Sequence, residues 1–441
     1  MITSPDAADS LADWLDYIDQ VHPLKIELGL DRVRAVMTRM QLLPVAPLVV
    51  TVAGTNGKGS CVAGIDLGLR RHGLHTGVYT SPHIEHFNER IHLGEQEASD
   101  GDICAALAAV ERARGETSLS YFEFATLAAF KLFHDARLDA VVLEVGLGGR
   151  LDAVNLLDAD VAVIASISID HTAWLGADRE SIGFEKAGIA RPGRPLVYGD
   201  RDIPASIERH AAALGTPLYR LGREYDIRAE ADNVRWRGLD AQGQPLDAGP
   251  FTPGEQIPDN LATILQALTL LDVPPDPGLL AALASLCLPG RFEWRRVAGC
   301  RARILFDVAH NPGGMRLLGE RLAARQTTAA AGSRLIAVLA IMADKELESM
   351  TAALQSQVDI WYIAQVDEPR CMPAQEVTQR LRRQGGRAPV RQYDSVAEAF
   401  REACAQSGAG DLIVVTGSFH TVSAVRHLTE APAAGNSAAQ S

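Results

Sequence analysis

The 441-residue sequence contains no apolar run approaching the roughly 18 residues that a membrane-spanning helix needs. Its N-terminus, MITSPDAADSLADW, is acidic and lacks the apolar centre of a targeting peptide. Positive charge is not in excess. The formal net charge is −13, which argues against wholesale binding to nucleic acid or to an anionic membrane. There is no CxxC pair. Cys61, Cys104, Cys287, Cys300, Cys371 and Cys404 are scattered singly, the pattern of packing thiols in a reducing compartment. No internal repeat is visible. These absences predict a cytoplasmic globular protein, taken as a monomer. Anionic small molecules stay open as ligands, because they need only a local basic pocket.

What is present begins at PLVVTVAGTNGKGS, Pro47 to Ser60. Leu48 to Val52 is an apolar, β-branched run and reads as a buried strand. Gly54, Gly57, Lys58, Gly59 and Ser60 follow, then Cys61 to Arg71 with Val62, Ile65 and Leu69 at helical spacing. Arg70, Arg71 and His72 before Gly73 form a cationic last turn with a glycine stop. Strand, glycine loop, lysine, hydroxyl and helix in that order suit a phosphate-binding loop. Glycines let backbone N–H groups converge on phosphate oxygens, lysine reaches the terminal phosphates, and a serine hydroxyl serves Mg²⁺. The match is imperfect, since Gly59 stands where the usual motif has its hydroxyl residue.

A chain of this length exceeds one hydrophobic core, so two domains are expected. Apolar spacing predicts helices over 10–20, capped by Ser10, over 100–114, over 121–134 and over 260–271. Strands are predicted at 77–79, 139–144 and 161–169. Several of these strands end in polar residues: Ser81 and His83, Glu144, Asp170 and His171. Strand ends at the carboxyl edge of a sheet are where α/β proteins bind ligands. An acid such as Glu144 holds Mg²⁺ in phosphate-loop enzymes. Glu123, at the start of an apolar helix, needs no function beyond its charge there. The run Gly146, Gly148, Gly149 is only superficially a dinucleotide fingerprint, because no helix pattern opens behind it. Lys186, in SIGFEKAGI, is as compatible with a surface lysine as with a functional one.

Residues 200–258 are polar, with poorly defined strands around 226–237. LPGRFEWRRV, Leu288 to Val297, marks a boundary. Strands at 303–306, 335–341, 360–363 and 412–415 then alternate with helices, which implies a parallel sheet with right-handed crossovers. The expected class is α/β: a P-loop ATPase-type N-terminal domain with a central, mostly parallel sheet (1–292), and a smaller Rossmann-like α/β C-terminal domain (293–430) with a disordered tail (431–441). Asp307, His310, Ser418 and His420 end strands of the second domain and are expected to face the first across a cleft. The residues alone point to phosphoryl transfer with ATP and Mg²⁺, without naming a substrate.

GTNGKGS, YTSPHIEHFNERI, YFEFATLAA, LEVGLGGRLDAVN, SISIDHTAWLGADRESIGFEKAGI, LPGRFE, FDVAHNPGG and VTGSFHTV, in that order over about residues 10–427, resemble the signature blocks of bacterial folylpolyglutamate synthases, particularly the bifunctional dihydrofolate synthase form. The family's loop carries the extra glycine seen at Gly59. The resemblance implies a Mur ligase-like amide ligase that forms an acyl phosphate on 7,8-dihydropteroate, or on the γ-carboxylate of tetrahydrofolate polyglutamates. L-glutamate then attacks it. It implies that Thr55, Asn56, Gly57, Lys58, Gly59, Ser60, Asn260, Arg291 and Asp307 contact ATP. It implies Mg²⁺ at two sites held by Ser60, Ser81, Glu144, His171 and Lys186, with Lys186 carbamylated by CO₂. Lys58, His171 and Lys186 are then the catalytic residues. Tyr121, Phe122, Glu123, Leu151, Asp152 and Ala153 resemble the pterin side, while His310, Ser418 and His420 are expected on the glutamate side.

Two other readings compete within ligases. Mur peptide ligases carry a UDP-binding domain ahead of the loop, and the 53 residues before Gly54 are too few for it. A monofunctional elongating enzyme resembles the bifunctional one closely. A reading outside ligases is a nucleotide-binding switch module, which the second α/β domain and the metal-type residues disfavour.

Overall fold

The computed structural model describes residues 4–6, 8–22, 27–326 and 332–429. It divides into two compact units, Met1–Leu286 and Cys287–Ser441. The expected disordered tail lies outside the described residues.

Among the described residues, the first unit is built on an eight-stranded sheet. In chain order its strands are β1 (Leu48–Ala53), β2 (Thr76–Tyr79), β3 (Ile91–Leu93), β4 (Gln96–Glu97), β5 (Ala140–Glu144), β6 (Val161–Ile164), β7 (Leu196–Tyr198) and β8 (Leu218–Arg220). They lie side by side as β4-β3-β2-β5-β1-β6-β7-β8. The run from β2 to β8 is parallel, while β3 and β4 are antiparallel additions at one edge. Because the sheet is covered on both faces, β1 is apolar throughout rather than alternating. Val49 and Ala53 enter one core, Val50 and Val52 the other. The first core is closed by helices that include Leu11–Gln20, Asp100–Arg114 and Tyr121–Ala136. Ser10 and Ser120 start two of them with reciprocal caps, to Asp13 and Glu123.

The second core holds the helices Lys58–Arg71 and Pro258–Thr269, which meet through glycine. A Cβ on Gly64 would lie 2.5 Å from Ile264 Cδ1, and one on Gly68 would lie 2.4 Å from Leu268 Cδ1. The contacts ascend together along both helices, so the two run parallel and both N-termini reach the loop after β1. We expect Gly68→Val to lower unfolding stability by about 1–3 kcal/mol through overpacking. Urea denaturation reads this directly; an unchanged midpoint would show that the helices are not in register as described.

One expectation is corrected, and the strands expected around 226–237 are present and extended by a third. The strand expected over 161–169 stops at Ile164: Ala165 N–H makes the last rung to Ala53 carbonyl, and Ser166 and Ser168 then bind the loop. The polar stretch after residue 200 forms an antiparallel sheet of β9 (Asp226–Glu230), β10 (Asn233–Leu239) and β11 (Pro245–Phe251). Trp236 is fully buried there and donates its indole N–H to Ala262 carbonyl.

In the second unit, β12 (Glu293–Arg295), β13 (Arg303–Phe306), β14 (Leu335–Leu339), β15 (Ile360–Ile363), β16 (Val390–Gln392) and β17 (Leu412–Thr416) form a sheet in the order β12-β13-β17-β14-β15-β16. Only β12 runs antiparallel. The expected strands are present. β12 and β16 are additions at the two edges, three residues each and too charged to give an apolar signal. No helix among the described residues is long and apolar enough to cross a membrane. None of the six cysteines is in a disulfide.

Candidate active site

The loop after β1 is shaped by what surrounds it. Gly57 has φ +86°, and a Cβ there would stand 2.6 Å from Asn260 Oδ1. Glycine is therefore required twice, for its backbone and for the approach of Asn260. On the other side the loop is tied to the segment after β6. Thr55 N–H donates to Ser166 carbonyl (2.8 Å), Asn56 N–H donates to Ser166 Oγ (3.1 Å), and Thr55 Oγ1 bonds both Ser168 N–H (3.0 Å) and Ser168 carbonyl (3.1 Å). The Lys58–Arg71 helix starts with no side-chain cap. A helix start without a side-chain cap suits the approach of an anion to its first turn. Ser60 is buried in that turn.

Two lysines converge beside it. Lys58 Nζ donates to Gly54 carbonyl at 3.2 Å, and Lys186 Nζ donates to the same carbonyl at 2.9 Å. Lys58 also stands 3.9 Å from Glu144 Oε1. Glu144 ends β5 directly beside Val52 of β1 and is buried. Its Oε2 accepts Ser81 N–H at 3.4 Å. Lys186 is only 4% exposed, which corrects the surface reading. Burial, and then the neighbouring Lys58 charge, lower its ammonium to a pKa of about 7, with Asp170 and Asp152 opposing. Asp152 is pushed up to about 6 by burial, against N–H groups of Leu147 and Val154 that stabilise its charged form.

Lys58, Ser81, Glu144 and Lys186 are thus brought together. His171 is exposed beside Asp170, in left-handed backbone at φ +51°, at the start of the short helix Thr172–Leu175. Hydroxyl and carboxylate oxygens at this edge suit a hard divalent cation. A separate group, Glu85, His86 and Glu89, also brings three potential ligands close together. There Glu89 already accepts the N–H groups of Ile84, Glu85 and His86.

The residues expected on the pterin side share one neighbourhood, the start of one helix and the turn after Leu151. The Phe122 ring lies where a Cβ on Gly146 would stand (2.6 Å) and packs 5.8 Å from the Tyr79 ring. Glu123 is buried and fully used: one oxygen caps its helix at Ser120 N–H, and the other accepts Arg32 Nη2 at 2.8 Å. Asp152 likewise holds the Leu147 and Val154 N–H groups. Leu151 carbonyl accepts Gly29 N–H at 3.2 Å, and Ala153 is buried.

In the second unit, Asp307 directly follows β13 and binds Phe292 N–H (3.0 Å) and Ala309 N–H (2.9 Å). Burial raises its carboxyl above the usual range, against the charges of Arg291 and Arg321. The Arg291 guanidinium lies 5.5 Å from the Phe419 ring, which itself lies 5.7 Å from His310. Ser418 is buried as the cap of the Phe419–Arg426 helix, whereas His420 is exposed. Sequence reasoning missed Ser166, Ser168, Gly29 and Arg32. Their contacts come from distant segments and leave no local pattern.

Residues 290–419 match the model of the Mur ligase glutamate ligase domain. The chain is 41% identical over 437 residues to dihydrofolate synthase/folylpolyglutamate synthase of Escherichia coli K12, covering 98% of each chain. It superposes with a TM-score of 0.89, at 40% identity, on E. coli FolC in complex with DHPP and ADP, covering 96% of this chain and 99% of that one. A bifunctional folylpolyglutamate synthase/dihydrofolate synthase with Mn, AMPPNP and L-glutamate bound gives a TM-score of 0.87 at 40% identity, with the same coverage.

Proposed function

The chain belongs to the dihydrofolate synthase/folylpolyglutamate synthase family, and from that membership we propose that it is a bifunctional ATP-dependent ligase, adding L-glutamate to 7,8-dihydropteroate and to the γ-carboxylate of tetrahydrofolate glutamates. The observation that carries the reading is the meeting of Lys58, Lys186 and Glu144 where β1 and β5 end.

A carboxylate is a poor acyl electrophile because its oxygen leaves badly. Transfer of the γ-phosphoryl group of ATP to that oxygen makes an acyl phosphate and releases ADP. The glutamate amino group then attacks the acyl carbon, and inorganic phosphate leaves with the former carboxylate oxygen. The loop from Thr55 to Ser60 cradles the phosphates, and Lys58 stabilises the charge on the transferring group. Asn260 lies where a side chain on Gly57 would stand, beside the phosphate loop. Ser60, Ser81, Glu144 and His171 would hold Mg²⁺, which when bound offsets negative charge on the phosphates. Lys186 would be the further ligand after carbamylation. A buried amine facing a second ammonium gives up its proton near neutrality and is then nucleophilic toward CO₂. N–C bond formation releases a second proton, from the now neutral amine, and leaves a carbamate whose oxygens are anionic donors.

Tyr121, Phe122, Leu151 and Ala153 line the pterin side, while Glu123 and Asp152 fix its backbone. Arg291 and Asp307 serve the nucleotide; His310, Ser418 and His420 serve glutamate. The enzyme works in this reading as a cytoplasmic monomer, independent of nucleic acid and membrane, in keeping with its net charge of −13. An acceptor labelled with ¹⁸O in its carboxylate tests the chemistry. One labelled oxygen is expected in the phosphate product; unlabelled phosphate would rule out an acyl phosphate.

A further inference from the structure

We propose that Arg90 is a carboxylate-recognition residue for the acceptor substrate, an inference that rests on the ligase reading above. Arg90 ends the short turn Phe87–Arg90, which follows Ser81 and leads into β3. Three contacts fix its side chain. Nε donates to His83 Nδ1 at 2.8 Å, and the guanidinium carbon lies 5.4 Å from the Phe87 ring centre and 5.6 Å from that of Tyr121. Those rings meet edge to face, 6.3 Å apart at 80°.

None of these contacts neutralises the charge. The two rings supply only their quadrupoles. His83 accepts through Nδ1 and adds no negative charge there. Among the described residues Arg90 forms no ion pair. Other arginines of this unit differ: Arg32 pairs with Glu123, Arg70 with Asp66, Arg114 with Glu111 and Arg150 with Glu185. Arg90 is therefore a cation held rigidly in place without an acid.

Its position gives it a ligand. Tyr121, against which it stacks, adjoins Phe122 in the first turn of one helix, on the proposed pterin side. A guanidinium fork matches a carboxylate in a bidentate way, and fixing the fork beforehand lowers the entropy lost on binding. The carboxylate has three sources: the benzoate group of dihydropteroate, or the γ- or the α-carboxylate of a folyl glutamate.

The test compares wild type with Arg90→Gln and Arg90→Lys, using dihydropteroate and tetrahydrofolate as acceptors at saturating ATP, Mg²⁺ and glutamate. Arg90→Gln should raise the acceptor KM by about tenfold or more, with Arg90→Lys recovering part of it and the KM for ATP unchanged. Loss with dihydropteroate alone assigns the contact to its benzoate carboxylate, and loss with both acceptors assigns it to the reacting carboxylate of each, benzoate in one and γ in the other. Loss with tetrahydrofolate alone assigns it to the α-carboxylate. A dihydropterin lacking any carboxylate should inhibit wild type and Arg90→Gln equally. An acceptor KM within twofold of wild type, or an equal weakening of that carboxylate-free inhibitor, would overturn the proposal while leaving the ligase reading standing. If wild type forms no amide, the ligase reading fails instead. Equilibrium binding of the two acceptors to wild type and Arg90→Gln then decides the Arg90 contact by the same tenfold criterion, and absence of binding to wild type refutes it.

Discussion

Lys58→Met is expected to lower kcat/KM for glutamate ligation by roughly 10³-fold, the scale of losing one fixed charge that faces a transferring phosphoryl group. The geometry explains why. Lys58 is tethered by Gly54 and Thr55 carbonyls at 3.2 and 3.4 Å, and Glu144 stays 3.9 Å away. The amine is held by both carbonyls at the start of the loop helix, beside the buried carboxylate. Methionine keeps most of the stem, so the unfolding midpoint should change little. The substitution also removes the charge that helps to deprotonate Lys186. The two lysines should therefore be non-additive in a double-mutant cycle. Steady-state kinetics with thermal unfolding checks both points. Turnover within tenfold of wild type would remove Lys58 from the chemistry.

Lys186→Met should separate activity from stability. Ligation is expected to fall by roughly 10²-fold or more, through loss of a charge-stabilising ligand. Stability should move the other way in metal-free, bicarbonate-free buffer. The folded amine titrates at about 7, below its ordinary value of 10.5. Between those values the unfolded chain binds more protons than the folded one, so wild-type stability rises with pH across that window. Below pH 7 the cost of burying the amine is present in full. The methionine variant lacks this term. It should be more stable than wild type at pH 7, by on the order of a few kcal/mol, with the gap closing toward pH 10. Urea melts at the two pH values measure this. A variant less stable than wild type at pH 7 would refute the strained amine. Labelled ¹³C-bicarbonate should give a carbamate signal in wild type and none in Lys186→Met.

The centre of this molecule was written locally, and much of its edge was not. Leu48 to Ser60 announces strand, loop and helix within a few residues, because β1 is buried on both faces and the turn needs glycine. Ser10 and Ser120 likewise announce helices through their caps. Lys58 and Lys186 are two of only five lysines in the chain, but spacing alone left Lys186 ambiguous. Its burial comes from the fold around Gly54, not from its own helix. Ser166 and Ser168 meet the loop because β6 lies beside β1, and Asn260 meets Gly57 because two helices run parallel. Neither pairing has a trace in local periodicity. The sheet of β9 to β11 was poorly defined in the sequence for another reason. Arg235 and Arg237 alternate with Val234, Trp236 and Gly238, and Pro245, Gly249 and Pro250 interrupt its last strand.

The central claim is that phosphate transfer at this loop serves a pteroyl or folyl carboxylate awaiting glutamate. ADP release by the purified protein, with ATP and Mg²⁺, measures it when each acceptor and L-glutamate are supplied singly and together. The account predicts sustained ADP release matched by amide product only when glutamate and an acceptor are both present, with dihydropteroate and with tetrahydrofolate alike. ADP release indifferent to both would contradict it.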